Sequence, residues 1–348
     1  MTDHANRVLY SNQSIAYASY FSVSLFVLIS GITSWISLDK TPREVVGGGI
    51  RHFSLRDMQR LRRIIFPYMI AVAVAVIRRY RFFEFQKYLY HLIHFDGLAP
   101  HYYMSLYIQL LLIRRLIFTV LKQTNERDSR KKLFREGFYF IIIVMIAFLT
   151  TRYTDIFSIY GGGGKLFGGT YLILFFIGML LQSHGVFDKY SKKKSTIVFI
   201  VSFSAWICWW RFQCNYQLLA DTYFPFGGGF NPPSFTFMLS GILMLFVCYG
   251  FFTILQATLP HLTQLVAFIG QHTLYIFLYH MIFRDIVYYL MKDSNIWLKR
   301  IICYIAMIVG PIIIQALFSY MKGMYQSWVY RVRVIHNSVD QMKGITGE

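Results

Sequence analysis

Two kinds of side chain stand out for the chemistry they could do. Arg60 and Arg63, in Arg60-Leu-Arg-Arg63, lie three residues apart and so share one face of a helix. A paired guanidinium face is what a phosphate-rich ligand needs, because the planar fork donates two hydrogen bonds at once. The second kind is histidine. His4 follows Asp3 near the start of the chain, His101 opens an apolar run, and His280 ends the string Leu274-Tyr-Ile-Phe-Leu-Tyr-His280. An imidazole with a pKa of about 6.5 is the usual general base for activating a hydroxyl, and Asp3 or Asp285 could orient one. The three are too dispersed for a zinc site, so no metal is expected. His91 and His94 share a helical face beside no other reactive group and read as interfacial. Gly161-Gly-Gly-Gly-Lys165 lacks the spacing of a phosphate loop and reads as a flexible connection.

The elements that carry these residues are apolar runs. Phe21–Leu38 holds no charge, and about 20 such residues cross the ~30 Å hydrocarbon core of a bilayer. Further runs fall at Ile64–Ile77, Tyr102–Leu121, Gly137–Thr151, Gly169–Ser183, Thr196–Trp210, Ser234–Leu255, Leu265–Leu290 and Ile301–Met321. The expected fold is therefore all-α, a polytopic membrane helical bundle with nine visible spans. With 56% hydrophobic residues in 348, there is no room for a sizeable soluble domain. The segment Arg78–Ala99, aromatic and mixed in charge, is expected at the membrane interface. The formal charge of +19 could suggest nucleic acid, but the basic residues sit between apolar runs, as topology anchors do. Nucleic acid is excluded as a partner.

Orientation follows from the same residues. Placing Lys40–Arg63 in the cytoplasm places Lys122–Arg135, Lys189–Lys194 and the segment 322–348 there too. Together with Arg114 and Arg115 they hold 23 of the 35 Lys and Arg. The C-terminal tail 322–348 is thus expected to be cytoplasmic, and residues 1–348 to form one integral membrane domain. This orientation puts Met1–Tyr20 outside with no preceding span to carry it there, so a tenth helix, the first of the bundle, is expected to be missing at the N-terminus.

Several stretches, in order along most of the chain, resemble the acyltransferase family 3 membrane proteins. Phe26-Val-Leu-Ile-Ser-Gly31 is similar to the family's Phe-Phe-x-x-Ser-Gly motif, and Arg60-Leu-Arg-Arg63 with Pro67-Tyr68 to its Arg-x-x-Arg…Pro segment. His101-Tyr-Tyr-Met104 resembles the His-Leu-Trp/Tyr-Phe start of a middle helix. Phe175-Phe-Ile-Gly178 resembles the Phe-x-x-Gly segment, and Thr273 to His280 the closing Tyr-x-x-Tyr-x-His pattern. The nearest flavour is the intercellular adhesion protein C branch. The resemblance implies a ten-helix membrane O-acyltransferase that moves an acetyl or succinyl group from acyl-CoA to hydroxyls of a cell-surface polysaccharide. Arg60 and Arg63 would hold the CoA phosphates. His4, at the expected distance before Phe26, would be the catalytic base with Asp3 beside it, although the family's partner arginine has no counterpart here. His101, Tyr275, Tyr279 and His280 would line the acceptor side. No bound cofactor is implied, acyl-CoA being the donor substrate. Membrane lipid, the polysaccharide or its lipid-linked precursor, and a polysaccharide synthase are the implied partners, in the plasma membrane. Two other readings share these features: a transporter or flippase for a glycan or lipid-linked sugar, and a non-catalytic partner of a polysaccharide synthase. Transporters show repeated halves, and no such symmetry is visible in the sequence.

Overall fold

A computed structural model describes residues 20–40, 55–123, 129–154, 165–187, 192–223, 231–292 and 295–345. Among them are eleven α-helices and no strand. In chain order these are α1 (Phe21–Asp39), α2 (Leu55–Tyr80), α3 (Phe85–His94), α4 (Tyr102–Gln123), α5 (Ser129–Tyr153) and α6 (Tyr171–Ser183). They are followed by α7 (Lys192–Tyr223), α8 (Phe235–Thr258), α9 (Pro260–Gln271), α10 (Thr273–Leu290) and α11 (Ile296–Ile345). Short 3₁₀ turns at Ala99–His101 and Leu166–Gly168 lead into α4 and α6. Among the described residues, α1, α4, α5, α7, α8 and α11 are each long and apolar enough to cross a membrane, and α9 with α10 would make a seventh, broken span.

An all-helical answer is what a bilayer imposes, since every backbone N–H and C=O must be paired within the segment. The hydroxyls inside the spans obey the same rule by bonding back to their own helix. Ser30 donates to the Phe26 carbonyl at 2.7 Å, Thr33 to Ile29 at 2.9 Å and Thr150 to Ile146 at 2.9 Å.

The chain forms two compact units, Met1–Ala267 and Phe268–Glu348. In the first, α1 packs on α6, α8 and α4, and α7 packs along α8. Half of the apolar window of α4 and 44% of that of α8 are buried, against 17% for α5 and 11% for α7. The first pair therefore makes the protein interior, and the second presents apolar side chains outward, as lipid-facing helices do. The run Gly169–Ser183, expected as a span, holds the 13-residue helix α6, about 20 Å long and too short to cross alone. It is a core element: Tyr171 to Phe176, Gly178 and Met179 are all buried. In the second unit α10 packs along α11, with Gly310 against the ring of Phe283. The expected single span Leu265–Leu290 is two helices. The chain breaks at His272, after Gly270 and Gln271, and the His272 imidazole pairs with Gln315 of α11 at 2.8 Å. Beyond Lys322, the stretch expected as a tail continues α11 as helix to Ile345.

Candidate functional site

Helix α2 begins at Leu55, so Arg60 and Arg63 stand on its first turns rather than in a loop. The structure gives them different surroundings. Arg60 is half-buried and donates from Nη2 to Ser37 Oγ of α1, whereas Arg63 is exposed. The buried charge beside Arg60 comes from residues that the sequence reading did not single out as site residues. Asp57, 1% exposed, accepts from Arg114 Nη2 and from Arg115 of α4, whose Nε lies at 2.9 Å and Nη2 at 2.7 Å. Arg60 lies within electrostatic reach of Arg114, and Tyr107 is near both. One buried carboxylate thus holds two guanidiniums while a third faces them from the next turn of α2. The signal was available: Asp57 precedes Arg60 by three residues, and Arg114-Arg115 interrupts an otherwise uncharged run.

A cavity of about 650 Å³ opens at the ends of α1, α4 and α6 and the start of α5. Its charged lining is Asp39, Lys40, Lys122, Lys132 and His184. Lys122 pairs with Asp39 at 3.1 Å. Glu136, 5% exposed, accepts from His184 Nε2 at 2.9 Å with Lys132 Nζ at 3.9 Å. Ile36, next to the Ser37 that anchors Arg60, also lines this cavity. Three lysines against Asp39 and the adjoining Glu136 leave a cationic pocket of a size that holds a small-molecule headgroup.

The far end of α2 carries a second polar centre. His101 is completely buried in the turn before α4. Its Nδ1 accepts from the Leu98 N–H at 3.2 Å, while its own N–H donates to the Leu98 carbonyl at 2.9 Å. The imidazole makes the return half of a capping box, in the position usually taken by Glu or Gln, while Leu98 has no side-chain acceptor for the other half; the bond places the proton of the neutral ring on Nε2. Tyr68 stands edge-on to that ring, centroids 5.3 Å apart, and donates to the Leu92 carbonyl at 3.0 Å. His91, expected at the interface, is instead 4% exposed. Phe95, in the left-handed conformation at φ 53°, turns the chain so that the Asp96 carboxylate reaches His91 Nδ1 at 2.7 Å. Nδ1 therefore carries the proton, and Nε2 accepts from the Tyr80 hydroxyl at 3.1 Å. His91 and His101 are fixed in opposite tautomers.

In the second unit His280 is 2% exposed, and its Nδ1 donates to the carbonyls of Ile276 and Phe277, each at 2.9 Å. The lone pair of the neutral ring is then on Nε2, the state a base requires. Tyr279 is buried, and Tyr275 lies one turn before it, ring centroids 6.0 Å apart. Asp285, a candidate to orient an imidazole, pairs with Arg284 at 2.6 Å. His4 and Asp3 lie outside the described residues.

A family model described as an acyltransferase domain, that of acyltransferase family 3, matches residues 2–317. The chain belongs to this family. No curated protein and no solved structure matches it. As a family-3 acyltransferase it gives two of its motif glycines a physical reason. Gly31 of α1 and Gly178 of α6 cross with their backbones in contact. A Cβ on Gly31 would lie 3.1 Å from the Gly178 Cα and well inside 3.0 Å of the Phe175 carbonyl oxygen. One on Gly178 would meet the Leu28 carbonyl as closely. Only glycine at both positions lets these helices touch, the small-residue packing that substitutes for a hydrophobic drive in lipid. The crossing fixes the spacing of the two helix ends that line the cavity, Trp35 to Lys40 on one side and Gln182 to His184 on the other. These two motif glycines thus serve architecture.

Proposed function

We propose that this acyltransferase is a plasma-membrane enzyme that moves an acetyl or succinyl group from acyl-CoA to a hydroxyl of a cell-surface polysaccharide, as in the intercellular adhesion protein C branch. The observation that carries the reading is the family match over residues 2–317. In this reading the long apolar helices cross the membrane with α6 held among them, and the basic end of the first unit and the C-terminus face the cytoplasm. The acyl-CoA phosphates lie in the cationic cavity. Lys40, Lys122 and Lys132 supply charge-assisted hydrogen bonds there, and Arg60 and Arg63 supply positive charge beside it. The acceptor hydroxyl attacks the thioester carbonyl, His4, with Asp3 beside it, is the general base that takes its proton, and CoA leaves as the thiol. His101, Tyr275, Tyr279 and His280 lie on the acceptor side.

The test is a reconstituted full-length chain given acyl-CoA labelled in the acyl group, with polysaccharide as acceptor. Alkali-labile label on the polysaccharide is expected; label that stays on CoA while the chain binds no acyl-CoA would refute the reading. The donor site is tested separately with Lys122→Ala and Lys132→Ala together. Charge-assisted contacts contribute about 1.5–3 kcal/mol each, so acyl-CoA affinity should fall at least tenfold. An unchanged affinity would remove the cavity from the donor site.

A further inference from the structure

The arginine cluster beside the cavity carries more positive charge than its own residues balance. Asp57 accepts from Arg114 and from both Nε and Nη2 of Arg115. Among the described residues Arg60 has no carboxylate partner and donates to Ser37 Oγ. Three guanidiniums against one carboxylate leave two positive charges uncompensated there. The excess is not at the surface: the Arg114 side chain is 3% exposed, that of Arg115 19%, and Arg60 is half-buried. Arg114 also keeps a buried donor unused, its Nε having no hydrogen-bond acceptor among the described residues. A buried guanidinium with an unmade bond is costly, because the donor has left water and gained no partner in exchange. A ligand that supplies the acceptor explains such a group. The Tyr107 phenol lies within electrostatic reach of Arg60 and Arg114, so a hydroxyl borders the same place. The ligand chemistry this asks for is an oxyanion that brings both missing charges and several acceptors, which a pyrophosphate diester supplies and a single carboxylate does not.

We propose that Arg114 and Arg115, set by Asp57 and joined by Arg60, form a second anion site that takes the pyrophosphate of the acyl donor, while the lysines of the cavity take its ribose 3′-phosphate; this rests on the acyl-CoA reading above. Arg114 and Arg115 belong to α4 and lie outside the Arg60-Leu-Arg-Arg63 motif. Arg115 and Lys122 are seven residues apart on one face of α4, so the cluster lies about 10 Å farther from the Gln123 end of that helix than the cavity lysine does. The order of the two sites follows from the connectivity of the donor. In acyl-CoA the thioester hangs on the pantetheine arm from one side of the pyrophosphate, and the 3′-phosphate lies on the other. With the lysines at the cavity and the arginines deeper, the arm leaves the cluster on the side away from the cavity, toward the acceptor. Asp57 is a positioning residue: its two oxygens hold Arg114 and Arg115, and its charge cancels one of three and leaves the two that the ligand matches.

The experiment measures binding of three donors by the full-length chain in detergent: acetyl-CoA, acetyl-dephospho-CoA, which lacks the 3′-phosphate, and acetyl-4′-phosphopantetheine, which keeps part of the pyrophosphate. The variants are Arg115→Gln, Arg115→Lys and Lys122→Ala with Lys132→Ala. Loss of charge-assisted contacts makes Arg115→Gln about tenfold weaker or more for all three donors, and Arg115→Lys should recover part of that. The lysine pair should cost about tenfold or more for acetyl-CoA, and less than about threefold for the two donors without the 3′-phosphate. Equal losses across the three donors from the lysine pair, or Arg115→Gln within about threefold of wild type for acetyl-dephospho-CoA, would overturn the assignment. Thermal unfolding with inorganic pyrophosphate gives a reading that needs only the wild type. Pyrophosphate should raise the midpoint, as a ligand of the native state does, and Arg115→Gln should lose most of the rise. No rise in the wild type overturns the site. A rise with phosphatidylglycerol and none with pyrophosphate would give the cluster to a lipid headgroup and overturn the donor assignment. If the wild type binds no acetyl-CoA yet is stabilised by pyrophosphate, the acyl-CoA reading falls and the anion site stands; acetyl-CoA binding beside an unimpaired Arg115→Gln sinks the site alone.

Discussion

Replacing Gly31 by alanine adds one methyl group at the place where α1 and α6 touch. The added carbon would face the Phe175 carbonyl oxygen, the Met179 nitrogen at 3.0 Å and the Gly178 Cα at 3.1 Å, all of them backbone atoms with no rotamer to yield. Ordinary contact needs about 3.5 Å, so the helices must part by about 1 Å at the crossing. Overpacking of this kind costs about 1–3 kcal/mol, and the upper half of that range is expected because both sides are helix backbone. The same displacement opens the cavity between Trp35–Lys40 and Gln182–His184, and a misplacement of about 1 Å in a binding site can cost about 10²-fold in rate. The assay is thermal unfolding in detergent together with acyl-CoA binding and transfer, for Gly31→Ala, Gly178→Ala and the double variant. Gly137→Ala and Gly323→Ala are the controls. A Cβ at either position meets nothing within 4 Å, and alanine in a helix gains up to about 1 kcal/mol over glycine. The crossing variants should lose stability and activity where the controls hold or gain. Gly31→Ala behaving like Gly137→Ala would refute the claim that this contact sets the cavity.

Asp57→Asn should be the most destabilising polar change in the first unit, by about 3–5 kcal/mol, because it leaves Arg114, 3% exposed, and Arg115 without their counter-charge; an unfolding midpoint within a few degrees of wild type would show that the cluster is solvated. His101→Ala should cost about 1–3 kcal/mol by leaving the Leu98 N–H without its acceptor, and His101→Gln, whose amide oxygen can take the same capping bond, should recover most of it. Equal losses from the two substitutions would mean that packing of the ring, not the bond at Nδ1, is what His101 contributes to stability.

What the sequence made legible was whatever a segment carries by itself. Helical class and membrane residence follow from uncharged runs such as Phe21–Leu38 and Phe235–Thr258, because a bilayer prices each residue locally. Arg60 and His101 were legible for a similar reason: each is a polar group next to an apolar run, and each proved to be held by specific partners. Apolar composition, by contrast, misled at α6: the stretch Gly169–Ser183 reads as a span, but its 15 residues fall short of the about 20 that a crossing needs, and only 13 of them are helical. The interiors of the polar clusters were out of reach because they join distant positions. Asp57 and Arg114 are 57 residues apart, and His184 and Glu136 are 48 apart, so no local pattern pairs them. His91 is the instructive failure. Its partner Asp96 is only five residues on, but their meeting depends on Phe95 adopting a left-handed conformation that glycine or asparagine would have advertised and phenylalanine does not. Helical spacing alone set His91 beside His94 on α3, where an imidazole reads as interfacial. The turn after α3 instead brings a carboxylate onto its Nδ1, and the return of the chain at Tyr80 brings a phenol onto its Nε2. A histidine with both nitrogens engaged in that order is held in one tautomer and one orientation, and it is the fold at the end of α2, not the composition of α3, that holds it.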